Sequence, residues 1–184
     1  MDPLWRTALW QQFGATIDMF ENALLACPDT QWNGRLWSDH SDHPQPSESA
    51  AFWYLTYHTL FWLDLYLTGS LEGFAPPTPF TTDGLAPSRV LPQQPYTRDE
   101  LHTYLVHLRM KCQTTIAGLS DEKAHQQVYF PWIESKPISF LELLIYNMRH
   151  VQEHAAQLNL FLGQNVSDGG SDWVSRAKAD QGGE

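Results

Sequence analysis

A chain of 184 residues is long enough for one domain with a substantial core and short for two. An apolar content of 42%, with eight tryptophans, excludes wholesale disorder. Twenty-one acidic residues against eleven Lys and Arg give a net charge of −10, and the basic residues are scattered, so neither nucleic acid nor an anionic membrane is an expected partner.

The opening MDPLWRTALW lacks the basic and apolar regions of a secretory signal. Asp2 and Pro3 instead supply a cap and a first-turn proline, and Trp5, Leu9, Phe13, Ile17, Phe20 and Leu24 recur at helical spacing until Pro28. Cys27 and Cys112 belong to no CxxC and give neither a disulfide framework nor a thiolate zinc site. Two buried or half-buried thiols in a reducing cytoplasm are expected.

A second helix is predicted from about Ser47, its N-cap, to Leu67, with Gly69 as the stop. Its sequence AAFWYLTYHTLFWLDLYL is apolar on nearly every side, but His58 and Asp64 interrupt it and no Lys or Arg flanks it closely. The expectation is a buried core helix and no membrane span, with one face on the bundle and another on a second subunit. The connection from Gly69 to Tyr96 holds six prolines and is too long for a hairpin, which leaves a lid, a crossover or a binding element.

Thr97 to Glu100 spells a capping box, T-x-x-E, before a stripe of Leu101, Tyr104 or Leu105, Leu108, Cys112 and Ile116 or Leu119. Ser139 to Glu142 spells a second, S-x-x-E, opening a fourth helix that ends near Gly163. The predicted fold is therefore all-α: a four-helix bundle over residues 1–163, with a long proline-rich crossover between helices two and three. A polar tail, 164–184, follows, with Trp173 and Val174 as its docking anchor.

The inward stripe of helix four reads Phe140, Leu143 or Leu144, Asn147, His150, His154, Leu158 and Phe161, which places two imidazoles where the pattern demands core. At i and i+4 both rings can approach one ion. A buried imidazole needs a partner, and a shared cation serves two at once. One such histidine is more often a hydrogen-bonded core residue, so a third ligand decides between the readings. His58, midway along helix two with Tyr54, Phe61, Trp62 and Leu65 on its face, is that candidate. Three histidines from two helices make the open three-ligand set of catalytic sites.

The remaining histidines do not join them. His40 and His43 lie in the polar stretch SDHSDHP and read as solvated. His102 and His107, five apart on one helix, diverge by about 140°, and His125 falls in a predicted loop.

With its apolar helix FWYLTYHTLFWLDLYL bearing one central histidine, followed by RHVQEHAAQLNLFLG with His-x-x-x-His, the chain resembles a DinB-like (YfiT-type) protein from helix one to Gly163. The resemblance implies an up-up-down-down bundle and a divalent metal, commonly zinc or nickel, held at His58, His150 and His154. It also implies homodimers and, in some relatives, transferases or isomerases that use low-molecular-weight thiols.

Residues 150–154, HVQEH, also match H-x-x-E-H, the inverted zincin pattern. That chemistry needs Glu153 as base and a carboxylate ligand downstream, where the sole glutamate is Glu184. A di-iron site needs Glu three residues before each histidine, and Asn147 and Val151 stand there.

The expected function is a metal-dependent enzyme on a small-molecule substrate, a thiol-dependent transferase or a hydrolase. The alternative is a non-catalytic dimeric interaction protein. Glu153 is a candidate base or a solvated charge. Tyr54 and Asn147, one turn before His58 and His150, are candidate substrate-orienting groups or core fillers. The proline-rich connection is expected within reach of covering the site.

Overall fold

A computed structural model describes residues 2–37, 47–85, 91–133, 136–167, 169–170 and 173–179. His40 and His43 lie outside them. The fold is all-α: long helices α1 (Pro3–Ala26), α2 (Phe52–Thr68) and α3 (Arg98–Ala117), a short α4 (Asp121–His125) and a long α5 (Phe140–Asn165). Each of α1 and α2 packs against both α3 and α5, which sets α1 and α2 diagonally across a four-helix bundle. No helix among the described residues is long and apolar enough to cross a membrane.

The caps follow local chemistry. Asp2 Oδ1 accepts from the Leu4 amide at 2.8 Å, and Pro3 stands at the first helical position. Thr97 and Glu100 form the full reciprocal box at the start of α3. Gly69, at φ 77°, ends α2 in the left-handed conformation, its amide on the Leu65 carbonyl at 3.1 Å.

Several expectations are corrected. α2 opens at Phe52, five residues after Ser47, because the preceding backbone pairs with a distant strand of chain: Leu36 N donates to Ala50 O and Phe52 N to Gly34 O, both at 2.9 Å. Among the described residues Ser139 Oγ caps the Glu142 amide without the return bond of a full box; its backbone is paired with Gln127 in a two-stranded antiparallel ladder. α5 runs two residues past Gly163, to Asn165, and His125 closes α4 where a loop was expected. The buried stripe of α1 begins at Phe13, and Trp5 is 70% exposed.

The surface of α2 expected to meet a second subunit is covered by the chain itself. From the proline-rich crossover, Phe74 sits edge-on to Phe61 at 5.4 Å and Phe80 stacks on Tyr57 at 6.0 Å and on Tyr104 at 4.5 Å. From the segment before α5, Phe130 meets Tyr66 at 5.3 Å and Trp132 meets Trp62 at 5.1 Å. Every residue of α2 is buried except Tyr54, His58, Trp62 and the terminal Thr68. The first three stand four apart, a single seam left open along an otherwise sealed helix.

The tail docks only partly as expected: Val174 packs against the core, Trp173 does not. Trp173 is 72% exposed. The anchor is backbone beyond it: Ala177 N donates to Gln11 O at 2.9 Å and Lys178 N to the fully buried Asp18 carboxylate at 2.6 Å, while Arg109 holds both Asp18 and the Lys178 carbonyl. Gly14 makes this approach possible, since a Cβ there would stand 2.5 Å from that of Ala177.

Candidate metal centre

The open seam of α2 faces α5, and His58, His150 and His154 meet there. His150 Nε2 lies 3.3 Å from His58 Nε2 and 3.0 Å from His154 Nε2, and one ring nitrogen from each of the three falls within 4.8 Å of the others. Tetrahedral nitrogen ligands about 2.05 Å from a zinc ion stand roughly 3.3 Å apart. His150 Nε2 stands near that spacing from both of its neighbours.

Burial, and then the neighbouring charge of His154, pushes the His150 pKa down to about 3. Burial also lowers that of His154, against the opposing pull of the Gln157 hydrogen bond and the Glu153 charge. Both rings are therefore neutral near pH 7, the form in which imidazole donates a lone pair.

The outer nitrogens differ. His154 Nδ1 meets Gln157 Oε1 at 2.7 Å, and because that oxygen only accepts, Nδ1 carries the proton and Nε2 keeps its lone pair. His58 Nδ1 accepts from the indole Nε1–H of Trp62 at 3.1 Å. His150 Nδ1 is buried with no hydrogen-bond partner among the described residues.

The three rings do not resolve these contacts among themselves. With a proton, His150 Nε2 donates to His154 but opposes the proton on His58 Nε2; without one, it accepts from His58 and sets two lone pairs 3.0 Å apart. A cation taking up lone pairs from the facing nitrogens removes the conflict, so the donor set fits a divalent ion of the zinc type.

Around the rings stands an aromatic wall. Trp132, from the connection before α5, donates its Nε1–H to the Tyr66 hydroxyl at 2.9 Å, and the Tyr66 ring lies 6.4 Å from His150 and 5.5 Å from Tyr146. The expected cover for the site was the proline-rich crossover. Its described residues anchor instead on Tyr57, Phe61 and Tyr104, and Trp132 packs on Trp62, the residue that donates to His58. A cavity of about 610 Å³ reaches His150, lined also by Thr16, Gln12, Arg149, Glu153 and Trp173.

Of the other candidates, Glu153 is exposed on this cavity. Tyr54 is half-buried, its ring 6.4 Å from that of His58. Asn147 is fully buried and donates from Nδ2 to the Leu63 carbonyl at 3.1 Å, tying α5 to α2. Sequence reasoning put Trp62 on the face of His58 without naming it as the ring's partner and passed over Gln157, though each stands one turn beyond a histidine on its own helix, the spacing at which side chains meet. Trp132 carried no sequence signal, since only the fold brings it near. Cys27 and Cys112 are both buried, and burial pushes the Cys27 thiol up to about 12, so neither is poised as a nucleophile.

No curated protein and no solved structure matches the chain. A family model does match, over residues 12–158, a span that includes all three histidines, and on that match the chain belongs to the DinB superfamily, a family of metal-binding proteins.

Proposed function

We propose that the protein is a metal-dependent enzyme in which His58, His150 and His154 hold one divalent ion, zinc or nickel, and that it transfers a low-molecular-weight thiol onto a small electrophilic substrate. The observation that carries this reading is the convergence of three imidazole Nε2 atoms, with one of the three residues, His150, lining a cavity of about 610 Å³. When bound, such an ion supplies a Lewis acid that lowers the pKa of a coordinated thiol or water.

The chain's own residues do the rest. Neutral His150 and His154 leave the charge of the cation undiminished. Glu153, on the same cavity, is the carboxylate placed to take the proton that an entering thiol gives up. Arg149, on the cavity wall beside His150, offers a guanidinium to an anionic group of the substrate. Tyr54 and the wall of Trp62, Trp132 and Tyr66 shield one side from water and present ring faces to an apolar group. Asn147 acts through the backbone, holding α5 in register with α2. The buried state of both cysteines favours a thiol that arrives from solution.

Protein purified without a histidine tag, assayed for metal content and then with a panel of thiols and generic electrophiles, tests the reading. About one divalent ion per chain and thiol consumption, both lost in His154→Ala, are the expected results. Ester or amide cleavage without thiol consumption would replace transfer by hydrolysis. Absence of a bound ion would remove the enzyme reading altogether.

A further inference from the structure

We propose that the tail contributes Trp173 to the cavity beside His150 as a platform for the flat ring of an aromatic anion, whose charge is met by Arg149. The class of the electrophilic substrate is then a planar aromatic acid; that assignment rests on the thiol-transfer reading above, whereas the binding itself does not.

The tail is fixed on α1 by groups other than the Trp173 ring. Gln12 Nε2 donates to Ser175 O at 3.3 Å, Arg176 Nε to Gln11 Oε1 at 3.2 Å and Lys178 Nζ to Asn22 Oδ1 at 3.0 Å, beside the backbone bonds of Ala177 and Lys178. Val174 packs against the core. Trp173 is the neighbour of that anchored residue and lines the cavity, yet its ring is 72% exposed and, among the described residues, makes neither a ring contact nor a hydrogen bond. A large ring left bare on a cavity while the adjoining backbone is held is the arrangement of a ligand platform, because little conformational freedom remains to be lost on binding.

The polar groups of the cavity divide into those already engaged and those left over. Gln12 is bound to Ser175, and Thr16 Oγ1 stands 3.0 Å from Gln12 O and 3.2 Å from Gln152 Oε1, so these three side chains tie α1, α5 and the tail together. Arg149 and Glu153 are left, both exposed on α5. They stand four residues apart, a spacing at which opposite charges commonly pair, yet among the described residues neither forms an ion pair or a hydrogen bond. The guanidinium is therefore free for an anion from solution. Glu153, one turn further along, repels a negative group from its own end of the cavity and leaves Arg149 as the seat of the charge.

A bare indole recognises shape more than direction: its faces stack on another flat ring in preference to an aliphatic one. A volume of about 610 Å³ lies within the range of small-molecule sites. A flat acid is the ligand that uses both the guanidinium and the indole while lying beside His150. The family match ends at residue 158, so Trp173 stands beyond what that relationship accounts for, and the preference it confers is set by this chain's own tail.

Naphthoate, titrated into the ¹⁵N-labelled full chain in chelator and followed by NMR, tests this. The expected result is a saturable shift of the Trp173 indole signal, identified by its loss in Trp173→Phe, together with the amides of Thr16 and Arg149. Trp173→Ala is expected to weaken binding about three- to tenfold and Trp173→Phe to retain most of it; neither removes packing, since the ring touches no other ring. Arg149→Gln should weaken binding about fivefold. Cyclohexanecarboxylate, with the same charge and no flat ring, should bind the parent about threefold more weakly than naphthoate and bind Trp173→Ala as it binds the parent. Asp18→Ala, which releases the Lys178 amide and with it the tail, should match Trp173→Ala. The proposal is overturned if the Trp173 signal stays in place through millimolar naphthoate, if parent and Trp173→Ala bind it equally, or if cyclohexanecarboxylate binds the parent as tightly. A tail shown by hydrogen exchange to be free in Asp18→Ala, with naphthoate affinity unchanged, also overturns it. Failure of the metal reading looks different: histidine signals that ignore zinc leave the titration in chelator as it is.

Discussion

Helix α2 carries a carboxylate and an imidazole into the bundle, Asp64 toward α3 and His58 toward α5, and the two meet different surroundings. Around Asp64 the fold supplies every partner: the Tyr104 hydroxyl donates to Oδ2 at 2.6 Å, and Lys111 Nζ donates to Oδ1 at 2.5 Å and to Thr68 Oγ1 at 2.8 Å. Burial, and then the adjacent carboxylate, drives the Tyr104 pKa far above the ordinary tyrosine range, so its hydroxyl remains a donor. Around His58 three ring nitrogens face one another, and His150 Nδ1 has no hydrogen-bond partner among the described residues. A buried polar cluster that closes on protein groups is architecture, and one that closes only with an added cation is a site. The Asp18–Arg109 pair, which clamps the tail, belongs with Asp64.

Mutations should separate the two kinds of cluster. Asp64→Ala strands a cation and a hydroxyl between α2 and α3, and urea unfolding should report a loss of about 3–5 kcal/mol, with or without zinc. Asp18→Ala leaves Arg109 without its carboxylate and frees the tail. A loss of about 2 kcal/mol is expected, and hydrogen exchange at the Ala177 and Lys178 amides should quicken toward that of the free chain.

His150→Leu should invert the pattern. In chelator it removes a buried unpartnered nitrogen, and the variant should be about 1 kcal/mol more stable than the parent; in zinc the parent should be the more stable of the two. The same pair of proteins carries a pH signature. The His150 pKa is about 3 in the folded chain against an ordinary value of 6.5. Between those values the unfolded chain binds more protons, so stability of the metal-free parent falls as pH drops from about 6.5 toward about 3. Burial lowers the His154 pKa and acts in the same direction. His150→Leu should lose much of that slope, which thermal melts in chelator across the range would measure. Parallel slopes in the two proteins would break the distinction between the clusters. Smallest of all, Trp173→Ala should change stability by no more than about 0.5 kcal/mol, because the tail is held by backbone at 175–178 and not by that ring.

Much of the fold was legible in the chain because it is local. Pro3, Thr97, Glu100 and Gly69 act on their own helix ends, and the apolar spacing of α3 and α5 reads off a single helical wheel. The histidines were legible for the same reason: an imidazole on a core-facing stripe is anomalous within its own helix, and three such anomalies on two helices invite one explanation. The start of α2 was misplaced because the rule for a serine cap is local, whereas the residues before Phe52 are bonded to Gly34 and Leu36. Asp18 finds its partners in Arg109 and Lys178, across most of the chain, and nothing near Asp18 in sequence announces them.

The amino-acid order by itself determined which long segments are helical, where most of them begin and end, and which three rings face inward. Only the packed chain decided which nitrogen of each ring is free, because that depends on whether an acceptor or a donor stands opposite. Gln157 and Trp62 take those two parts for His154 and His58. Hydrogen bonds act over about 3 Å, and a spacing rule that places a side chain on a face does not resolve to that distance.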